Sequence, residues 1–284
     1  MPTTYSPLRY PGGKTSLYPL VHQIIANNNL VGSTYIEPFA GGAGLALKLL
    51  YKQDVKKIIL NDLDDAIHTF WSCVLEYPDE LCQRIFETPI TIDEWKKQKE
   101  IYIKKGNGNL IDFAFAALFL NRTNISGIIK GGVIGGAEQE GSYLINARFT
   151  RETLIRKIKK IQEHKTEIII YNLDAKEFIK TVLPKHRKVL INFDPPYVKK
   201  GAALYKNSFE KDDHITLYKI INQCRRDWIV TYDDCELIRS LYSKYRMGLI
   251  DINYSAGNQK KSKEILISGK NVSIPKSDIY TEIV

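Results

Sequence analysis

Short β-rich runs in this 284-residue chain alternate with stretches of helical period. That alternation restricts the possible fold more than any single residue does. Thr34–Phe39, Lys57–Asn61, Glu167–Tyr171, Val189–Phe193 and Trp228–Thr231 read as strands, with helical stretches such as Ala175–Leu183 and Asp213–Arg225 among the segments between them. Parallel neighbours need a crossover, usually a helix, so the pattern predicts a mostly parallel sheet with helices on both faces. Leu249–Tyr254 and Glu264–Ser268 are joined only by the polar loop Ser255–Lys263. They read as an antiparallel hairpin closing one edge. The rhythm fails between the second and third runs, where about a hundred residues show no strand–helix alternation. A crossover rarely needs so many, so 66–165 reads as a domain inserted into one made of 1–65 and 166–284.

The insertion starts helically, and Leu110–Leu120 is apolar nearly all round, as a buried helix is. A Gly-rich stretch follows (Gly127, Gly131, Gly132, Gly135, Gly136, Gly141), suited to loops or a hairpin. A basic helix closes it, with Leu154, Ile155, Ile158 and Ile161 on one face and Arg156, Lys157, Lys159 and Lys160 on the other. Residues 120–165 hold nine lysines and arginines against four glutamates, more than half the surplus of a chain whose formal charge is +9. This is the segment predicted to face phosphates, although a solvated basic helix face has the same composition.

The run Val189–Phe193 ends abruptly in Asp194-Pro195-Pro196-Tyr197. In open α/β sheets, ligands sit outside the carboxyl ends of the strands. The prolines fix φ and carry no N–H, so this tip offers a carboxylate, carbonyl acceptors and an aromatic ring. Such a set suits a planar substrate bearing an amino group. A second tip, Glu37-Pro38-Phe39-Ala40-Gly41-Gly42-Ala43-Gly44, opens a helix, and Asp62 follows Gly42 by twenty residues at the end of the next strand. Glycines allow a tight turn and close backbone approach, and an acid at that spacing accepts from ribose hydroxyls. The pair predicts nucleoside binding; the glycine spacing is not G-x-G-x-x-G, which disfavours NAD. Tyr10-Pro11-Gly12-Gly13-Lys14-Thr15 lacks the first glycine of an NTPase phosphate loop, since Leu8 stands there. It still puts Lys14 at a helix start.

Other chemistries lack their parts. No Pro-Cys nucleophile, no His-x-Glu with a later Cys-x-x-Cys, and no metal spacing among five histidines is present. Four scattered cysteines suit a reducing cytosol. The first residues lack the charged and apolar regions of a leader, so no signal peptide is expected, and the longest apolar run, Phe113–Leu120, falls short of the roughly 20 residues that span a bilayer. A cytoplasmic, metal-free protein with no membrane partner is expected.

Taken in order, Tyr10–Lys14, Phe39–Gly44, the insertion and Asp194–Tyr197 resemble DNA adenine-N6 methyltransferases of the Dam type, as does Leu120-Asn121-Arg122 leading to Gly127. The resemblance covers nearly the whole chain. It implies a class I methyltransferase fold, a Rossmann-like, mostly parallel seven-stranded sheet, with 66–165 as target-recognition domain. It also implies S-adenosyl-L-methionine as methyl donor and double-stranded DNA as substrate, and leaves open a partner restriction endonuclease. A monomer is expected. By the same resemblance Tyr10, Lys14, Asp62 and Asp194 contact the cofactor, with Glu37, Phe39, Gly41, Gly42 and Gly44 in its loop. Many members carry Trp-Ala where this chain has Tyr10-Pro11; an aromatic face remains.

The expected reaction moves a methyl group to the N6 amino group of an adenine flipped from the duplex. Asp194 and the Pro195 carbonyl accept its protons, Pro196 completes the turn, and Tyr197 stacks on the base. Asn121, Arg122, Lys130, Arg148, Arg156, Lys157 and Lys160 are the expected DNA contacts, without a base-reading role for any one. The loop Val198–Lys211, with four lysines, either closes over the site or does not. Three rivals remain: an adenine methyltransferase of structured RNA, a DNA-binding regulator without catalysis, and an NAD-dependent dehydrogenase.

Overall fold

The computed structural model describes residues 4–10, 13–199, 209–253 and 261–283. Pro11, Gly12, most of the loop 198–211 and most of the loop 255–263 lie outside the described residues. The chain divides into two compact units, Gly13–Leu63 with Glu167–Val284 and Met1–Gly12 with Asp64–Thr166.

The unit formed by Gly13–Leu63 and Glu167–Val284 is built on one sheet. Its strands are β1 (Ser33–Glu37), β2 (Val55–Asn61), β3 (Ile168–Tyr171), β4 (Val189–Phe193), β5 (Asp227–Asp233), β6 (Arg246–Asn253), β7 (Lys261–Ser268) and β8 (Tyr280–Glu282), in the order β3-β2-β1-β4-β5-β7-β6-β8. The first five run parallel, and β7, β6 and β8 pair antiparallel. Every residue of β1 and β4 is buried, which is why Val189–Phe193 reads as an unbroken apolar run rather than an alternating one. Ile36, Ile59, Ile191, Phe193, Val230 and Ile265 join one core cluster.

A seven-stranded sheet that includes an antiparallel edge hairpin was expected; β6 and β7 are that hairpin, and the described residues contain one strand more, β8. β7 lies between β5 and β6, and β8 covers the outer side of β6. Three residues are too few to show a period, so β8 leaves no trace in the sequence; pairing it shields backbone groups that an open edge exposes.

Parallel pairing gathers the carboxyl ends of β1 to β5 on one side of the sheet. Asn61, at the end of β2, fixes three of these tips. Its amide donates to the Pro38 and Leu173 carbonyls at 3.0 Å each, and its oxygen accepts the Leu173 N–H at 3.0 Å.

The other unit is mainly helical, with helices at Asp65–Glu76, Pro78–Glu87, Ile92–Ile103, Leu110–Thr123 and Arg151–Gln162. Asn109 caps the fourth by accepting from the Ile111 and Asp112 N–H groups at 3.0 and 3.1 Å. Burial of that helix begins at Phe113; Leu110, expected inside, is 56% exposed. The Gly-rich stretch forms no named strand among the described residues, only an isolated bridge between Asn124 and Val133. Leu154, Ile158 and Ile161 of the basic helix are buried as expected, whereas Ile155 is half-buried.

The N-terminal segment belongs with this helical unit rather than with the sheet, where the strand–helix pattern had placed it. Asn121, 1% exposed, accepts the Arg9 N–H at 2.7 Å and donates to the Arg9 carbonyl at 2.7 Å and the Gly127 carbonyl at 2.8 Å. Gly127 has φ +77°, and a Cβ there would meet the Arg9 carbonyl oxygen at 2.5 Å. Asn121→Ala strands three buried backbone groups, so it is expected to destabilise the protein by about 2–3 kcal/mol. A loss below about 0.5 kcal/mol in urea unfolding would show that the clip contributes little.

Candidate active site

Asp194 is the first residue beyond β4, with its side chain 21% exposed. Lys14 Nζ stands 2.8 Å from its Oδ2. Its Oδ1 accepts the Thr231 hydroxyl of β5 at 2.8 Å and the Tyr197 hydroxyl at 3.3 Å. Lys14 is itself 5% exposed and opens a short turn of helix, Lys14–Leu17. Its Nζ also lies 3.6 Å from Glu264 Oε2 and 5.1 Å from the centre of the Tyr197 ring. The Tyr197 hydroxyl donates to that same Glu264 oxygen. Glu264 comes from β7, whose register sets it opposite Asp233 of β5. Asp233 in turn accepts the N–H groups of Val198 and Lys199 at 2.9 and 2.8 Å, fixing the chain as it leaves the Pro-Pro turn.

Glu37 ends β1 and is 6% exposed. Burial, and then the charge of Asp194, push its carboxyl up to about 8, against a Tyr35 hydrogen bond, the Lys14 charge and the Ala46 N–H, which favour ionisation. Glu37 is therefore mostly protonated at neutral pH. Burial, and next the Glu37 charge, also raise the Tyr35 hydroxyl.

The glycine turn is built as its residues require. Gly41 takes φ +45° and Ala43 φ +46°, and the helix Gly44–Tyr51 starts directly after. The Gly41 N–H donates to Asp62 Oδ2 at 2.8 Å, so the acid expected at a ligand also shapes the loop. Gly41 and Gly42 are buried, Gly44 is half-buried, and Phe39 meets Phe209 edge-on at 5.9 Å.

Lys14, Glu37, Phe39, Gly41, Gly42, Gly44, Asp62 and Asp194 thus all belong to the sheet unit; Tyr10 belongs to the helical one. Pro195 and Pro196 are buried. Tyr197 departs from expectation: it is 3% exposed, with its ring in the core and its hydroxyl held, rather than an open face. Thr231, Asp233 and Glu264 were missed. Glu264 stands between the polar Lys261-Ser262-Lys263 and the apolar Ile265-Leu266-Ile267, where a solvated strand end looks the same, so the sequence carried little signal for it.

In the helical unit the expected phosphate contacts separate. Arg122 donates through Nε to the Arg148 carbonyl at 2.6 Å, and burial, with Arg9 and Arg148 nearby, lowers it to about 10. Burial, then Arg122 and Arg156, lower Lys157 to about 8, and its Nζ donates to the Ser6 carbonyl at 2.9 Å. Arg9, unforeseen, joins them, lowered by burial and by Arg148. Among the described residues none of Arg9, Arg122, Arg148 and Lys157 forms an ion pair with a carboxylate. Arg156 and Lys130 are exposed, and Lys160 is paired with Glu163 at 2.7 Å. Asn121, expected at DNA, is instead the buried clip described above, because its amide is used up inside the protein.

Among the described residues no group of His, Cys, Asp and Glu has the arrangement to hold a metal. No described helix is long and apolar enough to cross a membrane.

A carboxylate strand tip beside a glycine turn and an acidic neighbour places a ligand site at the carboxyl ends of the parallel strands. The family model for D12 class N6 adenine-specific DNA methyltransferases matches residues 10–256, and the chain belongs to that family. It is 24% identical over 236 residues to the type II methyltransferase M.MjaIII of Methanocaldococcus jannaschii, covering 75% of this chain and 77% of that one. Among solved structures, the rRNA methyltransferase aviRa of Streptomyces viridochromogenes has 13% identity and a TM-score of 0.43, covering 92% of this chain and 87% of that one. M. capricolum TrmK with S-adenosyl-homocysteine has 7% identity and a TM-score of 0.37, covering 90% and 71%. At these values neither bears on substrate or mechanism. The family implies S-adenosylmethionine as methyl donor.

Proposed function

We propose that this protein methylates the N6 amino group of a specific adenine in double-stranded DNA, with the base turned out of the duplex. The observation that carries the reading is Asp194, an anionic strand tip held from two sides by Lys14 and Thr231 at 2.8 Å each and followed by two buried prolines.

A base stacked in a duplex cannot line its amino group up with a methyl donor, so it has to leave the stack. Asp194 and the Pro195 carbonyl then accept hydrogen bonds from the amino group, which turns the nitrogen lone pair out of ring conjugation for attack, and the one proton lost on methylation leaves by way of Asp194. The same acceptors stabilise positive charge developing on that nitrogen, so their effect is greatest in the transition state. Tyr197, its hydroxyl held at Asp194 and Glu264, is the ring against which the base packs. Lys14, Glu37, Gly41, Gly42, Gly44 and Asp62 hold S-adenosylmethionine, which supplies an electrophilic methyl group. The residues fit it: the positive φ of Gly41 bends the turn tightly, and the Asp62 carboxylate has lone pairs enough for a backbone N–H and ribose hydroxyls. Labelled S-adenosylmethionine, offered with duplex DNA and with total RNA in parallel, tests the reading; label in RNA adenine alone would replace it with the rival substrate.

Arg9, Arg122, Arg148 and Lys157 supply the phosphate-facing charge. Mutually repelling, half-buried cations without carboxylates are stabilised by an arriving polyanion. The double substitution Arg122→Ala, Arg148→Ala is expected to weaken duplex binding across sequences and to reduce the slope of log affinity against log salt by roughly one for each phosphate that is no longer neutralised. A salt titration with an unchanged slope would move the phosphate surface elsewhere.

A further inference from the structure

Glu264 has no role in the reaction as described so far, yet it is 1% exposed, and a buried carboxylate is costly unless it is paired. Two of its partners belong to the site: the Tyr197 hydroxyl donates to Oε2, and Lys14 Nζ lies 3.6 Å from that oxygen. Lys14 also holds Asp194 at 2.8 Å, and the Tyr197 hydroxyl reaches Asp194 at 3.3 Å. Four side chains therefore close a ring, in which one cation is shared by two carboxylates. Facing Asp194 alone, Lys14 would neutralise it and weaken its pull on an amino group. With Glu264 present, the ammonium is divided between two carboxyl groups, which leaves more of the Asp194 oxygen's accepting strength for the amino nitrogen where positive charge develops.

We propose that Glu264 is a positioning residue for methyl transfer: by sharing Lys14 with Asp194 and holding the Tyr197 hydroxyl, it sets the place of the Lys14 ammonium beside Asp194 and keeps the Tyr197 ring fixed. This rests on the adenine-N6 reading of the site above.

The test uses the full chain and a duplex containing its methylated site, first located by modified-base sequencing. Glu264→Gln preserves shape and an acceptor for Tyr197 while removing the charge; Tyr197→Phe removes only the hydroxyl. Glu264→Gln is expected to lower the single-turnover rate at least about tenfold while the KM for DNA and the affinity for S-adenosylmethionine stay within about threefold. Tyr197→Phe is expected to alter the fluorescence of 2-aminopurine placed at the target position, and to cost less in the Glu264→Gln background than alone, as coupled groups do. An unchanged rate in Glu264→Gln, or a loss confined to cofactor affinity, would overturn the assignment. Should that variant fail to fold, Tyr197→Phe decides, since unchanged rate and fluorescence there remove the proposed grip. A parent protein that methylates no adenine would instead refute the proposed function, which is a separate result.

Discussion

Asp194→Ala is expected to take methyl transfer below detection in a labelled-methyl assay, a fall on the order of 100- to 1,000-fold or more, while duplex binding remains measurable. The size follows from how the carboxylate is held. Lys14 and Thr231 fix its two oxygens at 2.8 Å each, so little reorganisation is left for the moment of reaction. Alanine removes the acceptor and leaves the buried Lys14 facing Glu264 alone, which also alters the field at the site. Asp194→Asn isolates charge from shape: the amide keeps an oxygen acceptor but loses the negative charge, and a comparable loss of rate is expected. Because the cations Arg9, Arg122, Arg148 and Lys157 are not substituted, duplex affinity should change only a few-fold. A filter-binding measurement beside the methyl assay separates the two effects. Retained activity in Asp194→Ala would remove the residue from its catalytic role.

The parts of this protein that rest on local pattern were legible in the sequence. Val189–Phe193 is a strand with the bounds its apolar run suggested, and the glycine turn with Asp62 joined as the spacing required. What depends on pairing between distant segments was not legible. Glu264 reaches Tyr197 across 67 residues; the expected edge hairpin is there as β6 and β7, but the sequence did not show that its second strand, β7, is the one that pairs with β5 and carries Glu264 to the site. Asn121 shows the opposite failure. Its neighbours Leu120 and Arg122 looked like a nucleic-acid element, but sequence carries no sign of whether an amide points outward. Burial, together with three bonds to Arg9 and Gly127, turned it into a structural clip. Arg9 was passed over for a related reason: it precedes Tyr10, and only the fold of the N-terminal segment against Asn121 brings it near Arg148.

Glu37 makes the stability of the protein depend on pH in a definite direction. Its carboxyl has an ordinary value of 4.5 and is pushed up to about 8 in the folded state, chiefly by burial and next by Asp194. Between those values the folded chain keeps a proton that the unfolded chain has released. Stability therefore falls as pH rises through this window, by about 1.4 kcal/mol per unit at most. The loss from this one group comes to roughly 3–5 kcal/mol by the alkaline end, with the opposing pull of Lys14 and the Ala46 N–H already contained in the folded-state value. Below about 4.5 both states hold the proton and the effect vanishes. Glu37→Gln keeps the shape without the titration. Its urea-unfolding stability is expected to match the parent near pH 5 and to exceed it by a few kcal/mol near pH 9, with a correspondingly flatter profile. The comparison concerns folding alone, since Glu37 lies beside Asp194 and its replacement also changes the site. Parallel stability profiles for the two proteins across that range would mean that Glu37 ionises in the folded state as easily as in water, and that Asp194 and Glu264 are then joined by a third negative group around Lys14.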